Sequence, residues 1–151
     1  DLSGLFGNEK HSDVVFGIRG HQFKAHKNIL SARSSVFSEM FQHEGLEASH
    51  QINIQDIDPE VFQEVLRFIY TGHVPSTKMD ALGLGLLAAG EKYLLKSLKN
   101  ACEKHLVNSL SAENCVEFLV VAKSHSADYL KKNALDFLRR FSREVKATDA
   151  W

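Results

Sequence analysis

Hydrophobic and polar positions alternate with two periods along this chain, and each change of period marks an element. Val14, Phe16 and Ile18 stand at every second position within residues 13–19, which predicts a strand with one buried face. Gly20 supplies a turn, and residues 21–25 read as the returning strand of a hairpin. A short helical segment follows over residues 27–31. Val36, Phe37, Met40 and Phe41 then form a stripe at i, i+1, i+4 and i+5, the mark of a helix buried on one side. Residues 43–50 are polar, contain Gly45 and show no period, so they read as a loop. Residues 51–55 return to strict alternation as a third strand.

The next element has the clearest boundaries. Asp58 is a cap, Pro59 fits the first helical position, and Glu60 suits the positive end of the helix dipole. Val61, Phe62, Val65, Leu66, Ile69 and Tyr70 keep one apolar face; Gly72 stops the helix and Pro75 keeps it stopped. From Thr77 onward everything reads helical. Thr77 and Asp80 resemble a capping box with Asp in place of the usual Glu. Gly83 and Gly85 each cost roughly 1 kcal/mol relative to Ala inside a helix, which predicts a loose first turn. Gly90 is expected to separate this helix from the next, whose stripe is Leu94, Leu95, Leu98, Cys102 and Leu106. Ser111 and Ser126 are expected N-caps of two last helices. Cys115, Phe118, Leu119 and Ala122 would face inward on the first, and Leu130, Ala134, Phe137, Leu138 and Phe141 on the second. The expected fold class is α+β with helices in excess, without internal repeats or long linkers.

Composition narrows the functional classes. The 151 residues carry 18 Lys+Arg against 19 Asp+Glu, and 44% are hydrophobic, as suits one domain with its own core or a domain with a small appendage. The balanced charge, with no basic block, argues against non-specific nucleic-acid binding, which needs phosphate neutralisation. No apolar run approaches the roughly 20 residues of a membrane-spanning helix, and no signal-peptide pattern opens the chain. Cys102 and Cys115 lie in helix-like apolar surroundings, so two buried thiols in a reducing, intracellular compartment are expected rather than a disulfide.

Eight histidines invite a metal reading, but the spacings do not sustain it. His21 and His26 straddle a strand-to-helix junction. Cys102 and His105 share a helix face, yet no second pair lies at a convincing distance along the chain. Nucleophile-elbow, phosphate-loop and zinc-protease motifs are absent, and Gly83-Leu84-Gly85 lacks a preceding strand. Asp56 and Asp58 flank a helix start, where carboxylates belong in any case. No enzymatic activity, metal or cofactor is expected.

The segment Phe23-Lys24-Ala25-His26-Lys27-Asn28-Ile29-Leu30, followed by Ala32-Arg33-Ser34, closely resembles the hallmark F-x-A-H-[KR]-x-[IVL]-L and A-x-S of the BTB/POZ domain. The likeness continues in order through Ser12-Asp13-Val14, Val36–Phe41, Pro59-Glu60-Val61-Phe62, Phe68–Gly72 and Ala88-Ala89-x-x-Lys92-Tyr93. Leu110-Ser111-Ala112-Glu113-Asn114 and the stretch from His125 to Lys131 are similar to the MATH-BTB branch that includes the speckle-type POZ protein.

The resemblance implies a non-enzymatic scaffold that forms a homodimer, binds the cullin-3 N-terminal region and recruits substrates to a cullin-RING ubiquitin ligase in the nucleus, the cytoplasm or both. Residues 1–109 would be the BTB/POZ domain with its N-terminal dimerisation segment. Residues 110–151 would be a C-terminal helical extension, BACK-like or three-box, that enlarges the cullin contact. In such proteins a separate MATH domain holds the substrate; none lies within this sequence, which therefore reads as the scaffold half. Some relatives also assemble further through their C-terminal helices.

The implied dimer residues are Leu2, Leu5, Phe6 and Ile29, with Asp13 and Lys27 as a charged pair beside the interface. The implied cullin-binding residues are Met40 and Phe41 at a helix end, His43, Glu44, Leu46 and Glu47 in the following loop, and Tyr93. The family's hydrophobic-x-Glu loop motif is degraded here, because its apolar position falls on Gly45 and its acid on Glu47. Leu46 replaces the anchor if the loop shifts register, although Ala48 then stands where the acid belongs. Burying one Leu is worth about 1.5–3 kcal/mol, roughly ten- to a hundredfold in affinity. The runner-up reading is a self-association module of a transcriptional regulator, without cullin. The helices after Ser111 favour the adaptor, whereas the degraded loop favours the runner-up. An ion-channel tetramerisation domain is disfavoured by the F-x-A-H-K motif and the apolar N-terminal segment.

Overall fold

The computed structural model describes residues 2–44 and 51–151. A 3-10 turn at Leu2–Leu5 leads into β1 (Val14–Ile18) and β2 (His21–Ala25), then α1 (Lys27–Arg33), α2 (Ser35–Glu44) and β3 (Gln51–Asn53). The remainder of the described chain is helical: α3 (Pro59–Thr71), α4 (Ser76–Lys92), α5 (Lys96–Asn108), α6 (Cys115–Ser124), α7 (Asp128–Arg140) and α8 (Ser142–Lys146). This is the expected α+β class, a small sheet beside a helical cluster with a helical extension. α2 runs on to Glu44 and so takes in His43, the first residue read as loop.

The sheet order is β2-β1-β3. Arg19 and Gly20 both have positive φ, the geometry of a tight two-residue hairpin, and set Val14 opposite Ala25. β3 lies parallel to β1, with Val15 opposite Gln51, because the chain crosses over through α1 and α2. The alternation read from the sequence holds: Val14, Phe16 and Ile18 are buried. The Phe16 ring meets Phe37 of α2 at 5.7 Å and Phe62 of α3 at 5.1 Å, tilted or edge-on as aromatic quadrupoles prefer. On the other face Gly17 leaves a gap across which Gln22 Nε2 donates to Gln51 Oε1 at 2.9 Å. A Cβ at position 17 would stand 2.0 Å from Gln51 Nε2.

α3 begins at Pro59 and ends before Gly72, which has φ 77° and donates its N–H to the Phe68 carbonyl. Asp58 occupies the N-cap position without a side-chain cap; its carboxylate pairs with Arg19 on the hairpin turn instead.

α4 corrects three expectations. It is continuous for 17 residues, with neither a loose first turn at Gly83 and Gly85 nor a break at Gly90. The glycines are sites of close helix approach: a Cβ would meet Leu106 at 3.0 Å from Gly83, Val61 at 3.0 Å from Gly85, and the Lys99 backbone N at 3.0 Å from Gly90. Tertiary packing thus offsets their low helix propensity. The capping box does not form either, since the N–H groups of Lys78 and Met79 bond to the Pro75 carbonyl and Asp80 accepts from His105 Nε2 at 2.6 Å. The break falls at Leu94, which has φ 53° and is exposed rather than part of the inward stripe.

In the extension, Ser111 and Asn114 bond reciprocally, Ser111 N–H to Asn114 Oδ1 at 2.8 Å and Asn114 N–H to Ser111 Oγ at 3.2 Å, just ahead of α6. Ser126 does not cap α7. It has φ 53° in the corner, and the helix start is held from α5, where buried Glu103 accepts the Leu130 N–H at 3.0 Å. Phe141 is exposed against Phe137, because α7 ends one residue earlier; α8 delivers Val145 to the interior beside Cys115 and Ala134. Both cysteines are free and buried.

Candidate interaction surfaces

His26 of the F-x-A-H segment is a structural link. Its Nδ1 lies 2.7 Å from the Tyr70 hydroxyl, and its Nε2 lies 2.7 Å from the Lys10 carbonyl. A carbonyl only accepts, so Nε2 carries the proton and Nδ1 accepts the Tyr70 O–H. The His26 main-chain N–H also donates to that hydroxyl at 3.0 Å. Burial pushes the Tyr70 phenol above its ordinary pKa. The triad ties the stretch before β1 to α3.

Beside it, Leu5 and Phe6 are half-buried against the main core. The Arg67 guanidinium lies 4.8 Å from the centre of the Phe6 ring, and Arg67 Nε donates to the buried Glu64 carboxylate at 2.7 Å. Leu2 belongs to the preceding 3-10 turn, and Ile29 is half-buried on α1. The charged pair takes a different form from the one expected. Asp13 Oδ1 accepts the Lys27 main-chain N–H at 2.7 Å, satisfying an orphan donor of α1, while the Lys27 ammonium lies 5.8 Å from the Phe41 ring centre.

The residues named for cullin contact divide. Met40 is half-buried, His43 is exposed, and Glu44 ends α2. Leu46 and Glu47 lie outside the described residues. Phe41 and Tyr93, expected at the cullin contact, are both buried. Phe41 packs on Phe37 and Phe16. Tyr93, 1% exposed, stacks on Phe37 at 4.7 Å with the rings 3° from parallel, and burial drives its hydroxyl pKa well above the ordinary value. Aromatic residues on an apolar stripe read alike from sequence whether they anchor a partner or fill a core.

Ser34, of the A-x-S segment, joins α1, α2 and the α4–α5 corner. Its hydroxyl donates to the Tyr93 carbonyl at 2.6 Å and accepts the Phe37 N–H at 3.3 Å as the cap of α2. Ser34 also lines a shallow groove of about 510 Å³ together with Ser31, Ser35, Ser38, Glu39 and Gln42. A second groove, about 520 Å³, runs between Asp56, Asp58, Gly85, Lys92 and His125. The pairs Arg19–Asp58 and Lys92–Asp56 cross its rim, and the hydrogen bond from Lys92 holds the Asp56 carboxyl below its usual range. Among the described residues no three His, Cys, Asp or Glu side chains gather as a metal site requires, and no helix is long and apolar enough to cross a membrane.

A family model described as BTB/POZ domain matches residues 2–110. The chain is 43% identical over 152 residues to TD and POZ domain-containing protein 4 of Mus musculus, an alignment covering 100% of this chain and 41% of that protein. The chain therefore spans less than half the length of that relative. Among solved structures, the BTB domain of zebrafish PATZ1 superposes with a TM-score of 0.59 at 24% identity, covering 70% of this chain and 84% of that one. That likeness is one of fold.

Proposed function

The chain belongs to the BTB/POZ domain family, whose domains are protein-interaction modules, and from that premise we propose that it is the dimeric, non-enzymatic adaptor module of a cullin-3 RING ubiquitin ligase. The observation that carries the adaptor reading is the seating of the extension on the core. α7 packs on α5, and buried Glu103 of α5 accepts the Leu130 N–H at the start of α7, which ties the helical extension to the helices before it. The likeness to the mouse protein also runs the whole length of the chain, extension included.

In this reading Leu2, Leu5, Phe6 and Ile29 meet their counterparts on a second copy in a two-fold dimer, with Asp13 and Lys27 at its edge. The end of α2 with Met40 and His43, and the following segment with Glu44, Leu46 and Glu47, receive the cullin N-terminal region. A separate domain selects the substrate, and the assembly works in the nucleus or cytoplasm. The degraded loop motif at Gly45-Leu46-Glu47 is the observation favouring the second reading, a self-association module without cullin.

Calorimetric titration with a cullin-3 N-terminal fragment, with light scattering for mass, separates the two. Sub-micromolar binding by a dimer, weakened at least tenfold by Leu46→Asp, supports the adaptor with Leu46 as its shifted anchor. A well-folded dimer giving no heat rejects the cullin assignment in favour of self-association.

A further inference from the structure

Only once in this sequence do two arginines stand side by side, at Arg139 and Arg140, and a serine follows after one intervening residue, so residues 139–142 read Arg-Arg-Phe-Ser. A guanidinium is a fixed fork that pairs bidentately with a carboxylate. Basophilic protein kinases use that pairing: carboxylates along their substrate groove take arginines two and three residues ahead of the serine to be modified.

The fold leaves these groups open. Arg139, Arg140, Arg143 and Lys146 are all exposed, and Ser142 between them is half-buried. Of the four cations, only Arg139 meets a carboxylate among the described residues, that of Asp136 at 3.7 Å. Arg140 lies instead against the exposed Phe141 ring, 5.6 Å from its centre. Ser142 opens α8 at its joint with α7, and α8 has five residues and a single buried side chain, Val145. A helix so short does not hold by itself, so few contacts must yield for the joint to open into the extended form a kinase groove accepts.

We propose that Ser142 is a phosphorylation site for a basophilic serine/threonine kinase, and that its phosphate staples α8 to the end of α7. The Ser142 Oγ attacks the γ-phosphorus of ATP, the bond from that phosphorus to the β–γ bridging oxygen breaks, ADP departs, and the hydroxyl proton passes to the kinase's base. The product brings about two negative charges at pH 7 to a corner where Arg139 stands three residues before it and Arg143 and Lys146 one and four after, each able to donate charge-assisted hydrogen bonds to the phosphate. The site does not depend on which partner the domain binds.

The test incubates the intact chain with Mg-ATP and the catalytic subunit of cyclic-AMP-dependent protein kinase, followed by intact mass, peptide mapping and amide exchange. The expected result is a single addition of about 80 Da at Ser142. It should be slowed about tenfold or more by Arg139→Ala or Arg140→Ala and abolished by Ser142→Ala. Arg139 and Arg140 are exposed, so both variants are expected to keep the Tm of the unaltered chain. Amide exchange in α8 should slow after modification. No addition to the folded chain overturns the site, and ready modification of a peptide of residues 136–148 alongside would show that the fold hides it. Addition at another serine, or at Ser142 regardless of both arginines, overturns it as well. Modification of Ser142 that leaves exchange in α8 unchanged or faster overturns the staple.

Discussion

The Cys102 thiol is fully buried, its sulfur 3.8 Å from Met79 Sδ. Burial, and secondly the neighbouring Glu103 carboxylate, push its pKa up from 9.0 to about 12. The unfolded chain releases this proton above pH 9 while the folded chain keeps it, so stability falls as pH rises from about 9 towards 12. The loss from this group reaches about 1.5 kcal/mol by pH 10. Urea midpoints at pH 7 and pH 10 measure it, and Cys102→Ala is expected to flatten the alkaline slope whatever it does to stability at pH 7. Sequence revealed that this thiol is buried, because it sits on a clear stripe with Leu98 and Leu106. It gave no means of telling Tyr93 or Phe41 from surface anchors, since aromatic residues on a stripe serve either role. Glu103 was equally illegible: a carboxylate beside a core position looks solvated until the helix it caps is known.

At the scale of elements, period and punctuation found every strand and nearly every helix of the described chain. α3 was the clearest, framed by Pro59 and Gly72. Errors arose where glycine was read as punctuation but acts as clearance. The glycines of α4 are predicted to differ in what replacement does. Gly83→Ala would press on the end of the flexible Leu106 side chain, which can yield, so its helix-propensity gain leaves stability unchanged or raised by up to about 1 kcal/mol. Gly90→Ala would press on the Lys99 backbone N and Cα at 3.0 and 3.2 Å, forcing α5 outward at a cost of about 1–3 kcal/mol. Chemical denaturation of the two variants side by side tests the contrast. The candidate site was legible only in part, because recognition of the family's order of motifs supplied it. The Leu94 corner has no glycine to announce it.

For the whole molecule, the decisive contact is the one between α5 and the start of α7. Glu103→Ala would leave the buried Leu130 N–H without its acceptor, at about 1–3 kcal/mol. The loss is expected to fall on the extension more than on the sheet. Amide exchange should therefore quicken in α7 and α8 while β1 and α3 keep their protection, whereas uniform acceleration would mean that core and extension unfold as one. Packing of the extension around Cys115, Ala134 and Val145 forms a second, smaller apolar cluster beside the main core, consistent with a local opening of this kind.

The bare backbone of Gly17 has an evolutionary corollary. The side-chain amides of Gln22 and Gln51 meet above it only because nothing projects from the middle strand. Any methyl introduced at position 17 evicts the Gln51 amide, so the effect of that substitution depends on what stands at 22 and 51. The three positions form an epistatic set: a change at 17 that is harmful alone becomes tolerable once the glutamines have given way, and such triplets accumulate in a particular order. Among diverging copies of this chain the outer face of the sheet should thus drift in concerted steps, while the buried face of Val14, Phe16 and Ile18 changes singly or not at all.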